Sequence, residues 1–376
     1  MHLRLSRLFI ALSVLLICID STGQILQQDT LLSIDTSKTA IAIDTLKSVS
    51  DTITVIGVGD IMMGSNYPDN SELPPDDGAQ LMLQVQPILQ NADVTFGNLE
   101  GVLLDAGGTA KTCKDPSVCY VFRTPVRYVK NLVTAGFDVV SVANNHAGDF
   151  GDIGRRTTWN TLEKAGIEYA GQLQKPYTVF ERNGVKYGFT AFGPNTNCND
   201  INNIEEAKKI VAHLDSVADV VIVSFHGGAE GKEYQHIPRA NEMFHGENRG
   251  NVYDFAHAMI DAGADIIFGQ GPHVTRGVEV YKNRFITYSE GNFCTYGGIN
   301  VAGINGVSPI IKVYASRKGE FYKAEVTPCF QLSHTHVSID PDKKVIKLMQ
   351  DLTKADFPVK SCEITDDGWI LPLAPK

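Results

Sequence analysis

The sequence predicts an α/β fold on three observations. Apolar strand patterns alternate with helical ones from Thr52 to about Pro328, later stretches add strands with little helix between them, and five strands run straight into polar, metal-competent residues. In an open α/β sheet, ligand sites form just beyond the carboxyl ends of strands. Five such endings from separate segments therefore predict one pocket.

In chain order, a strand over Thr54 to Gly59 ends in Asp60, and a helix is expected over Ala79 to Gln90. The next strand, Val94 to Gly97, ends in Asn98 and Glu100, and a helix follows over Pro125 to Ala135. Val139 to Ala143 ends in Asn144, Asn145, His146 and Asp149 ahead of a helix over Thr157 to Lys164. Strands at Tyr177 to Phe180 and Val185 to Phe192 precede a helix over Ile204 to Asp215. Val220 to Phe225 ends in His226 and Glu230, a helix covers Val252 to Ala262, and Ile266 to Gly269 ends in Gln270 and His273. Further strands at Arg276 to Tyr281, Phe285 to Tyr288, Ile310 to Ala315 and Phe321 to Thr327 imply a second sheet packed on the first. Residues Pro341 to Lys376 read as a small helix and an end strand, with Cys362 expected to fix them.

The N-terminus carries Arg4 and Arg7, an apolar run from Leu8 to Ile19, and then Ser21, Thr22 and Gly23. That order is a secretory signal over residues 1–23, and its apolar run is short for a membrane span, which needs about 20 residues. Cys18 has Leu15 three residues before it, as a lipoprotein cleavage site does, but Ile17 is large where such a site wants a small residue. Removal is therefore favoured over lipidation. Residues 24–50, rich in Gln, Asp, Thr, Ser and Lys, read as a flexible tether. The expected location is outside the cytoplasm: periplasmic, cell-surface or secreted.

The chain has 376 residues, 43% hydrophobic and 20% charged, which is ordinary for a globular protein. A net charge of -10 argues against nucleic acid as a partner. With Cys18 removed, Cys113, Cys119, Cys198, Cys294, Cys329 and Cys362 form an even set, which in an exported chain favours disulfides. Cys113 and Cys119 enclose a short loop and are the first pair expected; the other cysteines are expected to pair in an order the sequence does not give.

The chemistry lies at the strand ends. Glycines around Asp60 let the backbone approach a bound ion or phosphate closely. A carboxylate at Glu100 can bridge two cations. In Asn144-Asn145-His146, an amide oxygen can ligate a metal while the neighbouring imidazole points at the substrate. Asp149 would hold that imidazole charged, ready to protonate a leaving group. His226 and His273 each follow a buried strand, and their coincidence strengthens both as ligands.

The ordered set Gly-Asp-Ile-Met-Met-Gly, Gly-Asn-Leu-Glu-Gly, Ala-Asn-Asn-His-Ala-Gly-Asp, His-Gly-Gly-Ala-Glu, Ile-Asp-Ala-Gly-Ala-Asp, Gly-Pro-His-Val and Tyr-Ser-Glu-Gly-Asn-Phe resembles the CapA family. These are poly-gamma-glutamate capsule synthesis proteins related to the calcineurin-like metallophosphoesterases. The resemblance covers about Ile53 to Thr327 and implies a four-layer αββα sandwich over residues 51–335, with a C-terminal extension over 336–376. It implies Asp60, Glu100, Asn145, His226 and His273 as ligands of one or two divalent ions (Mn, Fe or Zn), and His146 with Asp149 as the catalytic pair. Asn98, Glu230 and Asn292 would line the substrate site. Three departures stand out: Met62 stands where metallophosphoesterases carry a histidine, a loss the CapA family shares, Gln270 occupies a position where similar proteins usually have histidine, and Glu290 replaces a common leucine. The implied partner is an anionic polymer such as poly-gamma-glutamate, or a phosphoester, together with other capsule-assembly proteins. The implied function is a metal-dependent hydrolase or transferase of the cell envelope; the alternative is a non-catalytic polymer-binding or export component that keeps a degenerate metal pocket.

Overall fold

The computed structural model describes residues 51–113 and 119–373, so the expected signal and tether lie outside the described residues. Two large sheets dominate the chain. In the ten-stranded sheet the order is Cys362–Ile364, Trp369–Pro372, Phe321–Phe330, Val307–Ser316, Thr52–Met62, Val94–Leu99, Val139–Ser141 and Glu168–Ala170. Asn292–Thr295 joins it in parallel beside the end of Thr52–Met62, pairing Asp60 with Asn292. In the six-stranded sheet the order is Val278–Tyr281, Arg284–Thr287, Ile266–Gln270, Val220–His226, Val185–Phe192 and Tyr177–Arg182.

The period-2 alternation of the strands explains how the layers form. Along Thr52–Met62, Ile53 and Val55 face the core between the sheets, while Ile56 and Val58 face an outer cluster with Leu89, Leu132 and Leu162. Along Val220–His226, Val220 and Ile222 join the inner core, while Val221, Val223 and Phe225 pack outward with Val211, Leu214, Phe255 and Met259. Helices therefore cover both outer faces: Val129–Ala135 and Gly151–Ala165 on the first sheet, Ile204–Val217 and Val252–Asp261 on the second. The architecture is a four-layer αββα sandwich.

Close approach of the sheets depends on Gly57. Its inward face meets the ring of Phe268, and a Cβ there would lie 2.2 Å from that ring. Phe268 in turn stacks on Phe96 at 5.4 Å. The parallel strands of both sheets thus run side by side toward one end, which is where the chemistry collects.

Several sequence expectations are corrected. The helix expected over Ala79 to Gln90 is confined to Gln86–Leu89, with turns before it. Pro87 has no N–H to donate and its ring excludes a carbonyl one turn earlier, so a helix can start here but not run through. The helix expected from Thr157 begins at Gly151. Cys113 and Cys119 form a disulfide, but Cys198, Cys294, Cys329 and Cys362 are free and buried. Their burial as small apolar side chains, rather than pairing, accounts for them. Cys362 lies in the Cys362–Ile364 strand, which with Trp369–Pro372 extends the first sheet, and the Lys344–Asp356 helix packs on the inner core through Val345, Ile346 and Met349. No helix among the described residues is long and apolar enough to cross a membrane.

Candidate metal centre

Asp60, Glu100 and His273 each offer a ligand atom within 4.8 Å of one another. Asp60 and Glu100 come from the ends of neighbouring parallel strands of the first sheet. His273 comes from the turn after Ile266–Gln270 in the second. It holds φ at 55°, an uncommon conformation for a non-glycine residue and one that collects at functional sites. Its Nδ1 lies 2.9 Å from Asp60 Oδ2 and its Nε2 lies 3.5 Å from Glu100 Oε1. Asn292, paired with Asp60 in the sheet, fixes this turn: Oδ1 is 3.0 Å from His273 Nδ1 and Nδ2 donates to the His273 carbonyl at 3.1 Å.

The pattern of unsatisfied atoms is the test of whether these residues suit a cation. Buried polar side chains are almost always hydrogen-bonded, and an unmet one costs about 1–3 kcal/mol. Here both carboxylate oxygens of Glu100, Asn145 Oδ1 and His226 Nε2 are buried without a hydrogen bond, and Asp60 Oδ2 has only the His273 imidazole beside it. They combine carboxylate and amide oxygens with imidazole, a donor set that suits Mn, Fe or Zn. Neighbouring amides hold them in place. Asn98 Nδ2 donates to Asp60 Oδ1 at 2.8 Å and lies 3.3 Å from His226 Nδ1, which leaves His226 Nε2 free. Asn144 is spent on the scaffold, donating to Asn98 Oδ1 and the Leu99 carbonyl and accepting from His146 N–H.

The electrostatics match a cluster built around missing positive charge. Burial, with Asp60 and Glu230 adding to it, pushes the Glu100 carboxyl up to about 8 against the pull of His273. Burial works to lower His273, but Glu100 and Asp60 outweigh it and raise the imidazole to about 10. Burial, then Arg249 and His273, holds His226 well below the usual histidine range. A neutral His226 is the form that ligates a metal.

His146 stands beside this cluster. Its Nδ1 is 2.8 Å from Asp149 Oδ2 and its Nε2 is 3.9 Å from Glu100 Oε1, so the unheld nitrogen faces the ligands. The expectation that Asp149 keeps this imidazole charged is corrected. Burial lowers the His146 pKa, Lys111 and His273 add to that, and Asp149 offsets it only in part. Lys111 carried no sequence signal: its Nζ lies 2.6 Å from Asp149 Oδ1 and donates to the Asn145 carbonyl at 3.2 Å. Phe122 N–H donates to Asp149 Oδ2 at 2.6 Å, and the Phe122 ring packs on His146.

A cavity of about 730 Å³ opens onto the cluster, lined by Asn145, His146, Glu230 and His273 among the expected residues. Asn98 lies behind the ligands, fully buried. Glu230 is ion-paired with Arg249 at 2.9 Å, and His273, with Arg249, holds its carboxyl below the usual range against burial, which works to raise it. Gln270 donates through its amide nitrogen to the Val58 carbonyl at 3.2 Å and to Glu290 Oε2 at 2.8 Å, while its Oε1 is buried without a hydrogen bond.

A four-layer αββα sandwich carrying carboxylate, amide and imidazole groups at its strand ends is the class that fold and site define. Residues 54–296 match the bacterial capsule synthesis protein PGA_cap family, and the chain belongs to that family. It is 31% identical over 271 residues to the capsule biosynthesis protein CapA of Bacillus anthracis, covering 65% of this chain and 60% of that protein. It is 32% identical over 260 residues to the PGA biosynthesis protein CapA of Bacillus subtilis (strain 168), covering 65% and 63%. The chain thus spans less than two thirds of these relatives' lengths. Among solved structures, a hypothetical protein from Thermus thermophilus aligns with a TM-score of 0.46 at 17% identity, over 77% of this chain and all of that one. A putative 5'-nucleotidase from Staphylococcus aureus aligns with a TM-score of 0.42 at 14% identity, over 80% and 58%.

Proposed function

We propose that this protein acts in capsule biosynthesis at the cell envelope as a metal-dependent hydrolase or transferase. Its substrate is an anionic polymer such as poly-gamma-glutamate, or a phosphoester. The observation that carries this reading is the set of buried, unpartnered polar atoms on Glu100, Asn145 and His226 around Asp60 and His273, placed beside the His146–Asp149 pair and under an open cavity. Family membership supports the biological setting.

Asp60, Glu100, Asn145, His226 and His273 would hold one or two divalent cations. When bound, such ions supply a Lewis acid and lower the pKa of a coordinated water. The protein's own contribution centres on His146. Asp149 Oδ2 accepts a hydrogen bond from Nδ1–H and so fixes the tautomer, which leaves the lone pair on Nε2. Nε2 takes up a proton on the cavity side and returns it to the leaving group. Phe122 against the ring restricts water there.

Elemental analysis of the purified protein, beside an Asp60→Asn/His226→Ala double variant, tests the reading. About one or two transition-metal equivalents in the wild type and none in the variant support it, and phosphoester and γ-glutamyl substrates are then screened with His146→Ala as the control. Gln270, which stands where similar proteins usually have histidine and is held through its amide nitrogen by Val58 and Glu290, favours a second reading in which the pocket is degenerate and the protein binds or exports polymer. Absence of metal in the wild type, with polymer binding that survives His146→Ala, would select it.

A further inference from the structure

Arg249 follows the short hairpin formed by Met243–Phe244 and Glu247–Asn248 and is only 2% exposed. It lines the same cavity as Asn145, His146 and His273. A buried guanidinium normally has its donors fully engaged, because each unmet one costs free energy. Arg249 departs from this. Its Nη1 lies 2.9 Å from Glu230 Oε1 and 3.6 Å from Glu247 Oε2, but Nε and Nη2 have no hydrogen-bond partner among the described residues.

The identity of the spare nitrogens matters. Nε–H and one N–H of Nη2 point the same way and form the side of the guanidinium that grips two oxygens of one carboxylate or phosphoryl group. Both neighbouring carboxylates approach the opposite nitrogen, Nη1, so they anchor the fork without covering its open side. Fully buried Arg276 shows what a structural arginine looks like in this fold. It gives Nη1 and Nη2 to Glu242, Nε to the Tyr234 carbonyl, and a further bond from Nη2 to the Ala229 carbonyl. Asn195, also on the cavity, has an unpartnered Oδ1 while its Nδ2 donates to Glu247 Oε1 at 3.1 Å.

We propose that Arg249 binds an oxyanion of the substrate, a carboxylate or a phosphoryl group, through its Nε–Nη2 edge. This rests on the reading that the cavity beside the metal ligands is the substrate site. Nε and Nη2 are both buried in this structure, so binding requires this edge to be uncovered. Asn195 Oδ1 then serves as an acceptor for an N–H or O–H of the same ligand. The assignment makes Arg249 a specificity residue, selecting substrates that carry an anion.

Calorimetric titration of the full-length protein with inorganic phosphate and with γ-glutamyl-glutamate tests this without turnover, and metal content is measured in each sample. Binding of phosphate or of the dipeptide tells the two oxyanion sources apart. Arg249→Met is expected to weaken the bound probe about tenfold or more at unchanged metal content. Arg249→Lys, a point charge without the fork, recovers only part of it. Because Arg249→Met strands Glu230, the Glu230→Gln/Arg249→Met variant is measured beside it, with thermal melting to establish folding. A folded variant that binds the probe as the wild type does overturns the proposal, and so does a wild type that binds neither probe. A wild type that takes up no metal yet shows Arg249-dependent binding supports Arg249 while removing the hydrolase reading. Metal uptake without Arg249 dependence does the reverse.

Discussion

Lys111 is ion-paired with Asp149 at 2.6 Å and, from the same ammonium, donates to the Asn145 carbonyl at 3.2 Å. Its backbone N–H also donates to the Asp149 carbonyl at 2.8 Å. One side chain therefore ties both ends of the turn that carries Asn145, His146 and Asp149. Groups that orient metal ligands from behind typically contribute 10–100-fold in affinity. Lys111→Met is expected to weaken metal binding by about that factor, with Lys111→Arg closer to wild type. Competition against a chelator of known affinity measures it, and an unchanged constant would sink the idea.

Metal should also appear as stability. A ligand at about 100 times its Kd that binds only the folded state adds about 2.7 kcal/mol. Manganese or zinc is expected to raise the melting temperature of the wild type and leave Glu100→Gln almost unmoved. An equal rise in both would mean that the ion binds elsewhere.

The Arg276–Glu242 pair is fully buried and bonded at both nitrogens. Breaking such a pair from one side strands a charge and typically costs about 3–5 kcal/mol, whereas replacing both partners with apolar groups is far milder. Urea denaturation should therefore find Arg276→Met much less stable than Arg276→Met/Glu242→Leu. Similar midpoints for the two variants would show that the pair is not energetically coupled.

The thiols of Cys198, Cys294, Cys329 and Cys362 are each pushed up to about 12, chiefly by burial. Alkylation without reductant, read by mass spectrometry, should label none of them in the native protein and all of them after unfolding. Labelling of only some in the unfolded state would reveal a second disulfide.

Much of the site was legible because its residues sit where strands stop. The largely apolar runs before Asp60, Asn98, Asn144, His226 and Gln270 mark buried strands, and the residue type at each exit does the rest. The cysteines misled because an even count speaks to pairing only when the geometry brings the thiols together, and burial in separate parts of the core uses them differently. Lys111 and Arg249 were illegible for another reason. Each lies in an irregular stretch with no periodicity, and its role comes from partners far away in sequence. The charge state of His146 needed the whole environment, since a nearby carboxylate argues one way and burial with a lysine the other.

The family match ends at residue 296, but the strand that delivers Asp60 does not end its dependencies there. Thr52–Met62 is hydrogen-bonded on one side to Val94–Leu99 and on the other, from Thr52 to Val58, to Val307–Ser316. A chain cut at the edge of the matched segment would leave that strand with a bare flank, an invitation to pair with another molecule. The strand that presents Asp60 therefore depends on a partner strand lying beyond the matched segment.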